Sequence, residues 1–433
     1  MRNRKSELLG DVDVIIVGGG PAGSSTALHL ERLSPDLATR TLLLEKSRHP
    51  REKTCGGALT LNAERILSEL AVPLEMRWAP VHHVRLVYGE VCIDLPDDGC
   101  AKRVVRRCDL DDVLFQTAKD RNVPTMEDVR VNKVVRRPSH LLVMTDHGHF
   151  RAKVVVSADG VRAVLRKTSG FGPGKLSRIY VAETPADPAK EPVFTEQVLL
   201  VDFSYLREGL KGYYWDFPCY IDGRPFVSRG IVAVARLGSH AYLDELLARR
   251  GVKAEGAVRK AWPIRHFDPR ERFARPRMLL VGDALGSDPL FSEGISQGLA
   301  CGRLAAEAIV DAFKRNDLSF SGYTKRVLRS RLGKELLAYS RAARFLYGRR
   351  AEVVLSLLHE SQELRDLIGH SYAGTANIYD SVPRVAKLVA KHLIHYKQRM
   401  HSFRAAAAVT DRAGGKEEAN AALTGTSVTG SVS

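Results

Sequence analysis

The chain has 433 residues, of which 44% are hydrophobic, so it is long enough for two or three domains with a sizeable core. It contains no run of about 18 uncharged apolar residues, which argues against a transmembrane helix. Its net charge of +16 favours an anionic partner (nucleic acid, an anionic membrane surface or an anionic substrate), and no nucleic-acid-binding motif is visible.

The N-terminal segment predicts a strand rather than a targeting signal. Residues 1–10 are expected to form a mobile leader, and the apolar run that follows, Val14–Val17, is too short for the core of a signal peptide. The six cysteines show no CxxC spacing, so neither a zinc site nor a disulfide framework is predicted. Without a transmembrane run or a signal-peptide core, a cytoplasmic protein is expected, and free thiols fit such a reducing compartment.

Signals for strands and helices alternate at first, strands then dominate the middle of the chain, and helices dominate its C-terminal third. The predicted elements that matter below are strands at 12–17, 41–44, 141–145, 154–156, 197–203, 227–235 and 278–281, and helices at 24–33, 109–121 and 293–314.

The first motif is Gly18-Gly-Gly20-Pro-Ala-Gly23, between a predicted strand and a predicted helix. Gly18 allows a tight turn, Gly20 lets the backbone approach a pyrophosphate, and Gly23 permits close packing of helix on strand. The helix start offers free N–H groups and a positive dipole to phosphates. Glu45, which ends the second strand, can accept hydrogen bonds from ribose hydroxyls. These residues predict a dinucleotide-binding site.

Two more turns follow predicted buried strands. The segment 154–160 is a strand with an Asp159-Gly160 turn, a common pattern that says little alone. The strand at 278–281 leads through Gly282-Asp283 and Pro289 to a helix start at Glu293-Gly294-Ile295. Asp283 can bind sugar or ribitol hydroxyls, and the N–H groups of residues 294 and 295 can face a developing anion.

These three motifs, in this order, resemble the flavoprotein superfamily that includes the aromatic hydroxylases of the para-hydroxybenzoate hydroxylase type. Arg107, Asp111 and Leu114 resemble the element whose arginine contacts the flavin cofactor in that superfamily. The resemblance implies that FAD is bound in an extended form under a roof made by the sheet-rich middle of the chain. The residues it assigns to FAD are Gly18, Gly20, Pro21, Ala22, Gly23, Glu45, Lys46, Cys55, Gly56, Arg107, Asp159, Gly160, Gly282, Asp283, Pro289, Gly294 and Ile295.

The implied fold class is α/β, with a discontinuous Rossmann-like FAD-binding domain, an inserted mixed β-sheet substrate domain and a helical C-terminal region. The tail is poor in large apolar residues, which predicts disorder. The expected boundaries are 1–80, 105–178 and 275–318 for the FAD-binding parts, 81–104 and 179–274 for the substrate domain, 319–402 for the helical region and 403–433 for the disordered tail.

Two local patterns narrow the resemblance to the geranylgeranyl reductase family. Residues 212–218, Gly-Tyr-Tyr-Trp-Asp-Phe-Pro, resemble the YxWxFP signature of that family, and 53–57, Lys-Thr-Cys-Gly-Gly, resemble its cysteine-containing turn. The chain departs from the family pattern at Leu210, where a proline usually stands three residues before the tyrosine. The resemblance places the signature beside the substrate cavity. The substrate-binding residues it implies are Gly57, Tyr213, Trp215, Phe217 and Pro218.

The residues of the signature also have a physical interpretation. Alternation at period two places Tyr213, Trp215 and Phe217 on one face of a strand, and Pro218, which has no N–H, is expected to end the ladder. Such a face is either an ordinary aromatic core or an apolar wall against a substrate. A wall would suit a polyprenyl chain or an aromatic substrate equally. Its position between the two halves of a split flavin site favours the wall.

Cys55 also has two interpretations. A free cysteine is usually a small buried residue. The glycines that follow it permit close backbone approach, which favours a group beside the flavin that positions substrate or relays a proton. With Tyr213 and Trp215, Cys55 makes up the predicted catalytic set.

The resemblance implies an FAD-dependent oxidoreductase that reduces carbon–carbon double bonds of a geranylgeranyl or other prenyl substrate. Hydride would come from reduced flavin, and a proton from Cys55, Tyr213 or water. The expected electron donor is NAD(P)H or another reductant, and a nicotinamide would bind transiently because no second GxGxxG is present. The main alternative is a monooxygenase that hydroxylates or epoxidises an aromatic or prenylated substrate. A halogenase is a lesser alternative, because the halogenase signature has Trp in place of Tyr213 and Ile in place of Phe217.

A basic cluster in the C-terminal third is either a solvated helix face or a patch that attaches the protein to the inner face of an anionic membrane. The patch would also fit a third hypothesis, a non-catalytic flavin-binding protein at the membrane. The cluster contains one acidic residue, Glu335. Its basic members are Lys325, Arg326, Arg329, Arg331, Lys334, Arg341, Arg344, Arg349 and Arg350.

Overall fold

The computed structural model describes residues 7–94, 102–233, 238–348, 351–372 and 379–394. The predicted disordered tail, 403–433, lies outside these ranges. Within them, no helix combines the length and the apolar character that a membrane crossing requires.

Strands and helices alternate in the N-terminal part, and the C-terminal part is helical. The strands are β1 (Leu8–Val17), β2 (Thr41–Leu44), β3 (Trp78–Val81), β4 (His83–Tyr88), β5 (Val91–Asp94), β6 (Lys102–Val105), β7 (Thr125–Met126), β8 (Val131–Arg136), β9 (Leu141–Thr145), β10 (His149–Ser157), β11 (Lys175–Pro185), β12 (Val198–Asp202), β13 (Gly212–Ile221), β14 (Arg224–Ala233), β15 (Val258–His266), β16 (Ala274–Arg275) and β17 (Met278–Leu280). The helices are α1 (Pro21–Leu33), α2 (Pro35–Thr39), α3 (Leu61–Glu69), α4 (Arg107–Asp120), α5 (Val164–Thr168), α6 (Pro192–Thr195), α7 (His240–Arg249), α8 (Ile295–Arg315), α9 (Tyr323–Arg329), α10 (Arg331–Leu346), α11 (Ala351–Glu360) and α12 (Gln362–Tyr372). Residues 379–394 are helical as well.

The first sheet positions the three sequence motifs. Its strand order is β16-β17-β10-β1-β2-β7, with β9 paired to β10 and β8 paired to β9. β1 pairs in parallel with β2 and β10, and β10 pairs in parallel with β17. Parallel strands end at the same edge of a sheet, so the turns that follow Val17, Leu44, Ser157 and Leu280 come together there. In sheets of this kind, ligands bind at that edge.

Small residues let α1 and α8 pack closely together. A Cβ built on Gly302 would lie 2.6 Å from Ser25 Oγ, and Ser25 Oγ donates a hydrogen bond to the Leu299 carbonyl at 2.7 Å. In β1, Ile15 and Ile16 are fully buried, although their side chains point to opposite faces. Such continuous burial is typical of a strand in a sheet that is covered on both faces.

The second sheet is mixed, with the order β15-β11-β14-β13-β12-β4-β5. β13 and β14 form a hairpin that is paired along its whole length. Tyr214 and Leu210 are buried in a cluster that includes residues of α7. Tyr213 and Trp215 belong to a different apolar cluster, to which α10 and α11 contribute. The two faces of β13 therefore serve different parts of the core.

The predicted fold class is confirmed: a Rossmann-like parallel sheet, a second mixed sheet and a helical C-terminal region. The strands at 41–44 and 141–145 have the predicted bounds. The first helix begins at Pro21 rather than at residue 24, because proline is well suited to the first turn of a helix.

Two local expectations are wrong. Residues 8–10 belong to β1 rather than to a leader. Pro218 does not end its strand: β13 continues to Ile221, and Pro218 pairs with Val227 on β14. The pairing of β13 with β12 reaches only as far as Asp216, so Pro218 is paired with β14 alone, and proline is tolerated at such positions.

Candidate active site

A cavity of about 810 Å³ lies between the ligand-binding edge of the first sheet and one face of the second. Pockets that hold small organic ligands typically measure about 300–1,000 Å³. The predicted site residues that line it are Gly18, Gly20, Pro21, Ala22, Glu45, Lys46, Cys55, Gly56, Gly57, Arg107, Asp159, Gly160, Tyr213, Trp215, Phe217, Gly282, Asp283, Gly294 and Ile295. Segments that are far apart in the chain thus meet in one place.

Three predicted site residues do not line this cavity: Gly23, Pro218 and Pro289. A Cβ on Gly23 would lie 1.9 Å from the Gly18 carbonyl oxygen, so glycine is required there for packing. Pro218 faces away from Phe217, because neighbouring residues of a strand point to opposite sides. Roles for these three residues in binding remain predictions.

Gly18 and Gly20 are glycines for different reasons. Gly18 has a φ of +108°, and a Cβ there would lie 2.5 Å from the Ala158 carbonyl oxygen. A Cβ on Gly20 would come no closer than 3.5 Å to another residue, at Arg51 Nη2. The helix that begins beside Gly20 has no side-chain cap and no acidic residue in its first turn. Its first N–H groups are therefore free to bind an anion in the cavity.

A buried network of charges borders the glycine turn. Glu45 accepts the Gly19 N–H at 2.9 Å, and Arg51 Nη2 lies 3.4 Å from Glu45 Oε2. Arg51 also lies 3.2 Å from Asp111, which accepts two hydrogen bonds from Arg107 at 2.8 and 3.0 Å. Burial acts to lower the pKa of Arg107, but the charge of Asp111, its hydrogen bonds to the guanidinium and the charge of Asp283 act in the other direction, and the pKa is raised overall. Arg107 is therefore a fixed cation at the cavity.

The two aspartate turns form the other side of the site. Asp159 accepts the Ser157 hydroxyl at 2.5 Å and the Val164 N–H at 2.6 Å, while burial raises its pKa. Asp283 faces the start of α8, since a Cβ on Gly294 would lie 3.3 Å from Asp283 Oδ1.

These residues fit FAD. The open backbone at Gly20 and the uncapped helix beside it suit a pyrophosphate. Glu45 and Asp283 supply carboxylate oxygens that can accept hydrogen bonds from hydroxyl groups. Arg107, which is held by Asp111, supplies a cation that needs no rearrangement.

The roof of the cavity is a row of paired residues that crosses four strands. Tyr213 on β13 pairs with Val232 on β14, Val232 pairs with Ile179 on β11, and Ile179 pairs with Trp262 on β15. Directly paired residues share one face of a sheet, and all four line the cavity. The predicted aromatic wall is therefore one end of a longer apolar surface.

The turn that carries Cys55 lies against the aromatic strand. A Cβ on Gly56 would lie 2.8 Å from Phe217 Cδ2 and 3.5 Å from Trp215 Nε1. Gly57 has a φ of +82°, a left-handed conformation that favours glycine. Cys55 is half-buried, and its Sγ accepts the Gly57 N–H at 3.4 Å. The structure thus brings both family patterns into contact.

Tyr213 and Trp215 differ in their polar atoms. The Tyr213 hydroxyl donates a hydrogen bond to the Phe291 carbonyl, which ties β13 to the segment before α8. Trp215 is 3% exposed, and its Nε1 has no hydrogen-bond partner among the described residues. A buried donor without a partner costs roughly 1–3 kcal/mol. A bound group with an acceptor atom at this position would remove that cost.

Lys53, Trp262 and Glu293 also line the cavity, although the sequence alone assigns no role to any of them. Lys53 Nζ lies 4.4 Å from the centre of the Trp262 ring. Burial lowers the pKa of Lys53 to about 8, against an opposing effect of the Asp283 charge. Glu293 accepts the Ser296 N–H at 2.8 Å, so a carboxylate already occupies part of the α8 start. Lys53 belongs to the cysteine-containing turn that the sequence shows, whereas no local sequence pattern marks Trp262.

Residues 11–214 match the family of FAD binding domains. A menaquinone reductase of Mycolicibacterium smegmatis is 29% identical over 320 residues, which cover 68% of this chain and 75% of the relative. A digeranylgeranylglycerophospholipid reductase of Methanothermobacter thermautotrophicus is 26% identical over 399 residues, which cover 87% and 98%. A solved structure, a geranylgeranyl bacteriochlorophyll reductase-like protein of Thermoplasma acidophilum, has a TM-score of 0.69 at 19% identity and covers 88% of this chain and 100% of that one. Flavin-dependent halogenases share the fold as well.

Together with the glycine turn at Gly18–Gly23 and the charged residues beside it, these matches define the class of the protein, which is an FAD-dependent oxidoreductase. The resemblance to the geranylgeranyl reductase family that the motifs predicted is confirmed. Relatives of the chain are named as digeranylgeranylglycerophospholipid reductases, and a geranylgeranyl reductase-like protein has the same fold.

Proposed function

We propose that the protein reduces carbon–carbon double bonds in the prenyl chain of its substrate. The observation that carries this proposal is the close approach of Gly56 to Phe217. It brings the Cys55 turn against the aromatic wall, in a cavity that the residues predicted to bind FAD also line. The wall would bind an alkyl chain through the area it removes from water, at about 25 cal/mol per Å². The relative that is named as a reductase of a geranylgeranyl lipid supports this substrate class.

FAD, when bound and reduced, supplies the hydride. Tyr213, Trp215 and Phe217 orient the prenyl chain and exclude water, which aligns the double bond for transfer. Cys55 provides the proton for the second carbon. Tyr213 is a weaker candidate for that proton, because its hydroxyl is bonded to the Phe291 carbonyl and would have to leave it.

We infer that the flavin is reduced by NAD(P)H or another donor that binds transiently. The support is in the sequence, where one GxGxxG pattern is present and Gly18, Gly20 and Gly23 of that pattern are assigned to FAD.

The test is a comparison of product masses with and without oxygen. The FAD-loaded protein is reduced under anaerobic conditions and offered prenyl diphosphates, prenyl quinones and prenylated lipids. A gain of two hydrogens per double bond, with no need for oxygen, supports the reductase. A product that gains an oxygen atom while oxygen is consumed would show a monooxygenase instead. Protein from which FAD has been removed is the control and should give no product.

We also propose that the basic cluster contacts an anionic membrane. Lys325, Arg329, Arg341 and Arg344 are exposed on α9 and α10, whereas Arg326 is paired with Asp311. Each free cation near anionic lipid contributes about 1 kcal/mol. Replacing the four exposed residues by glutamine should reduce flotation with phosphatidylserine vesicles and leave activity on a soluble substrate intact. Equal flotation of both proteins would refute the patch.

A further inference from the structure

The row of paired residues that forms the roof of the cavity, here called the roof row, has cationic side chains beside it at its β15 end. Tyr213, Val232 and Ile179 are apolar along the row, and Trp262 lies on β15, the edge strand of the sheet. β15 is three strands away from β13, and a strand spacing of about 4.8 Å puts the two ends of the row about 14 Å apart. The cavity is therefore elongated beneath the sheet.

Two cations flank the Trp262 ring. Lys53 Nζ lies 4.4 Å and the Arg162 guanidinium 5.0 Å from the ring centre. Across the described ranges, neither cation forms an ion pair or a side-chain hydrogen bond, and Trp262 Nε1 is buried without a partner. By contrast, Arg51 and Arg107 of the same cavity are both bound to Asp111. Among the described residues, the β15 end therefore holds two cations without an ion pair and one buried indole N–H without a partner.

Lys53 is held at this end by its neighbour. Glu52 accepts a hydrogen bond from Lys260 at 2.9 Å and another from Arg106 at 3.0 Å. Lys260 stands two residues before Trp262 on β15, so both side chains leave the strand on the same side. These two hydrogen bonds to Glu52 fix the backbone that carries Lys53 beside Trp262.

Aromatic side chains cluster at the opposite end of the cavity. The ring of Phe291 lies 6.4 Å from those of Phe203 and Tyr339, and Tyr339 belongs to α10. Carboxylates that line the cavity near these rings already have partners. Glu335 accepts a hydrogen bond from Arg331 at 2.9 Å, Asp288 from the Phe291 N–H at 2.9 Å, and Glu293 from the Ser296 N–H at 2.8 Å. An elongated ligand would therefore have its apolar part under β13 and α10 and an anionic part at Trp262.

We propose that Lys53, Arg162 and Trp262 form an anion-binding subsite for the phosphate head group of the substrate, whose prenyl chain runs along the roof row to Tyr213. The identity of the chain rests on the proposed function, but the subsite does not. Lysine and arginine bind phosphate oxygens through charge-assisted hydrogen bonds, and the flat indole fixes both cations without neutralising them. A protein with a net charge of +16 would also attract such a substrate.

The experiment measures equilibrium binding to the FAD-loaded protein with geranylgeranyl diphosphate, geranylgeraniol and NADPH as probes. The variants are Lys53→Met and Arg162→Gln, and the matched controls are Lys119→Met and Arg136→Gln, which alter cations outside this cavity. FAD content and thermal unfolding of each variant show that the fold is kept. We expect each subsite variant to bind the diphosphate at least tenfold more weakly, to bind geranylgeraniol within about twofold of the parent, and to retain FAD.

Three results would overturn the subsite. Equal weakening for diphosphate and alcohol would mean that the residues shape the apolar cavity. Weaker NADPH binding without weaker diphosphate binding would mean that the two cations bind the nicotinamide electron donor. Loss of FAD would mean that they bind the flavin cofactor. Reduction is assayed separately with geranylgeraniol. If the binding pattern holds and no probe is reduced, the subsite stands and the proposed reductase activity falls.

Discussion

Gly56 lies so close to Phe217 that a Cβ on Gly56 would stand 2.8 Å from Phe217 Cδ2. The turn that carries Cys55 and the strand that carries the aromatic wall are separated by some 160 positions in the sequence and share this contact. The shape of the cavity next to Cys55 therefore depends on the absence of a side chain at position 56.

Replacing Gly56 by alanine should displace either the turn or the Phe217 ring. Overpacking of this kind costs about 1–3 kcal/mol, so we expect prenyl-chain binding and turnover to fall about tenfold or more while FAD stays bound. Steady-state kinetics and flavin absorbance measure the two effects.

The double variant Gly56→Ala with Phe217→Leu should recover part of the loss, because leucine is smaller than phenylalanine. Gly10→Ala is the control, since the nearest side-chain atom to a Cβ there is 4.0 Å away. An unaffected Gly56→Ala protein would contradict the contact.

Replacing Cys55 by alanine should slow double-bond reduction without releasing FAD. A positioned proton donor typically contributes about 10²–10⁴-fold to rate, and a loss of that size is expected if Cys55 holds the transferred proton. Cys108→Ala is the matched control, because Cys108 is half-buried and does not line the cavity. Turnover that matches the parent would remove Cys55 from the mechanism.

Gly20→Ala should weaken FAD binding without affecting the fold, whereas Gly23→Ala should destabilise the fold itself. Position 20 has room for a Cβ in the protein, so its variant should fold normally and bind FAD at least tenfold more weakly, because the methyl group meets the pyrophosphate. Position 23 has none, with the Gly18 oxygen 1.9 Å away, so its variant should lose stability even without FAD. Thermal unfolding and FAD titration separate the effects. Full FAD affinity in Gly20→Ala would refute the proposed phosphate position.

Binding of geranylgeranyl diphosphate should weaken as the pH rises through about 8. Burial lowers the pKa of Lys53 to about 8, so the charge that binds the anion is present below this pH and lost above it. The same titration with geranylgeraniol should be flat, and Lys53→Met should remove the pH dependence for the diphosphate. A pH profile that is the same in parent and variant would exclude Lys53 as its source.

The cofactor cradle and the fold could be predicted from the sequence because their signals are local. A strand, a glycine turn and a helix start lie within 12–33, and the turns at Asp159 and Asp283 each follow their own buried strand. Period-two alternation also predicted the common face of Tyr213 and Trp215. In each case the backbone geometry depends on residues within a few positions of one another.

The remaining features depend on contacts between distant segments, which no local pattern specifies. Pro218 continues its strand because the pairing of β13 with β12 stops at Asp216. Leu210, the departure from the family pattern, is buried in the same cluster as Tyr214 and does not line the cavity. The approach of Lys53 to Trp262 exists because two sheets meet over one cavity. Burial there lowers the pKa of Lys53, because desolvation disfavours its charged form, and no local pattern in the sequence shows that this lysine is buried.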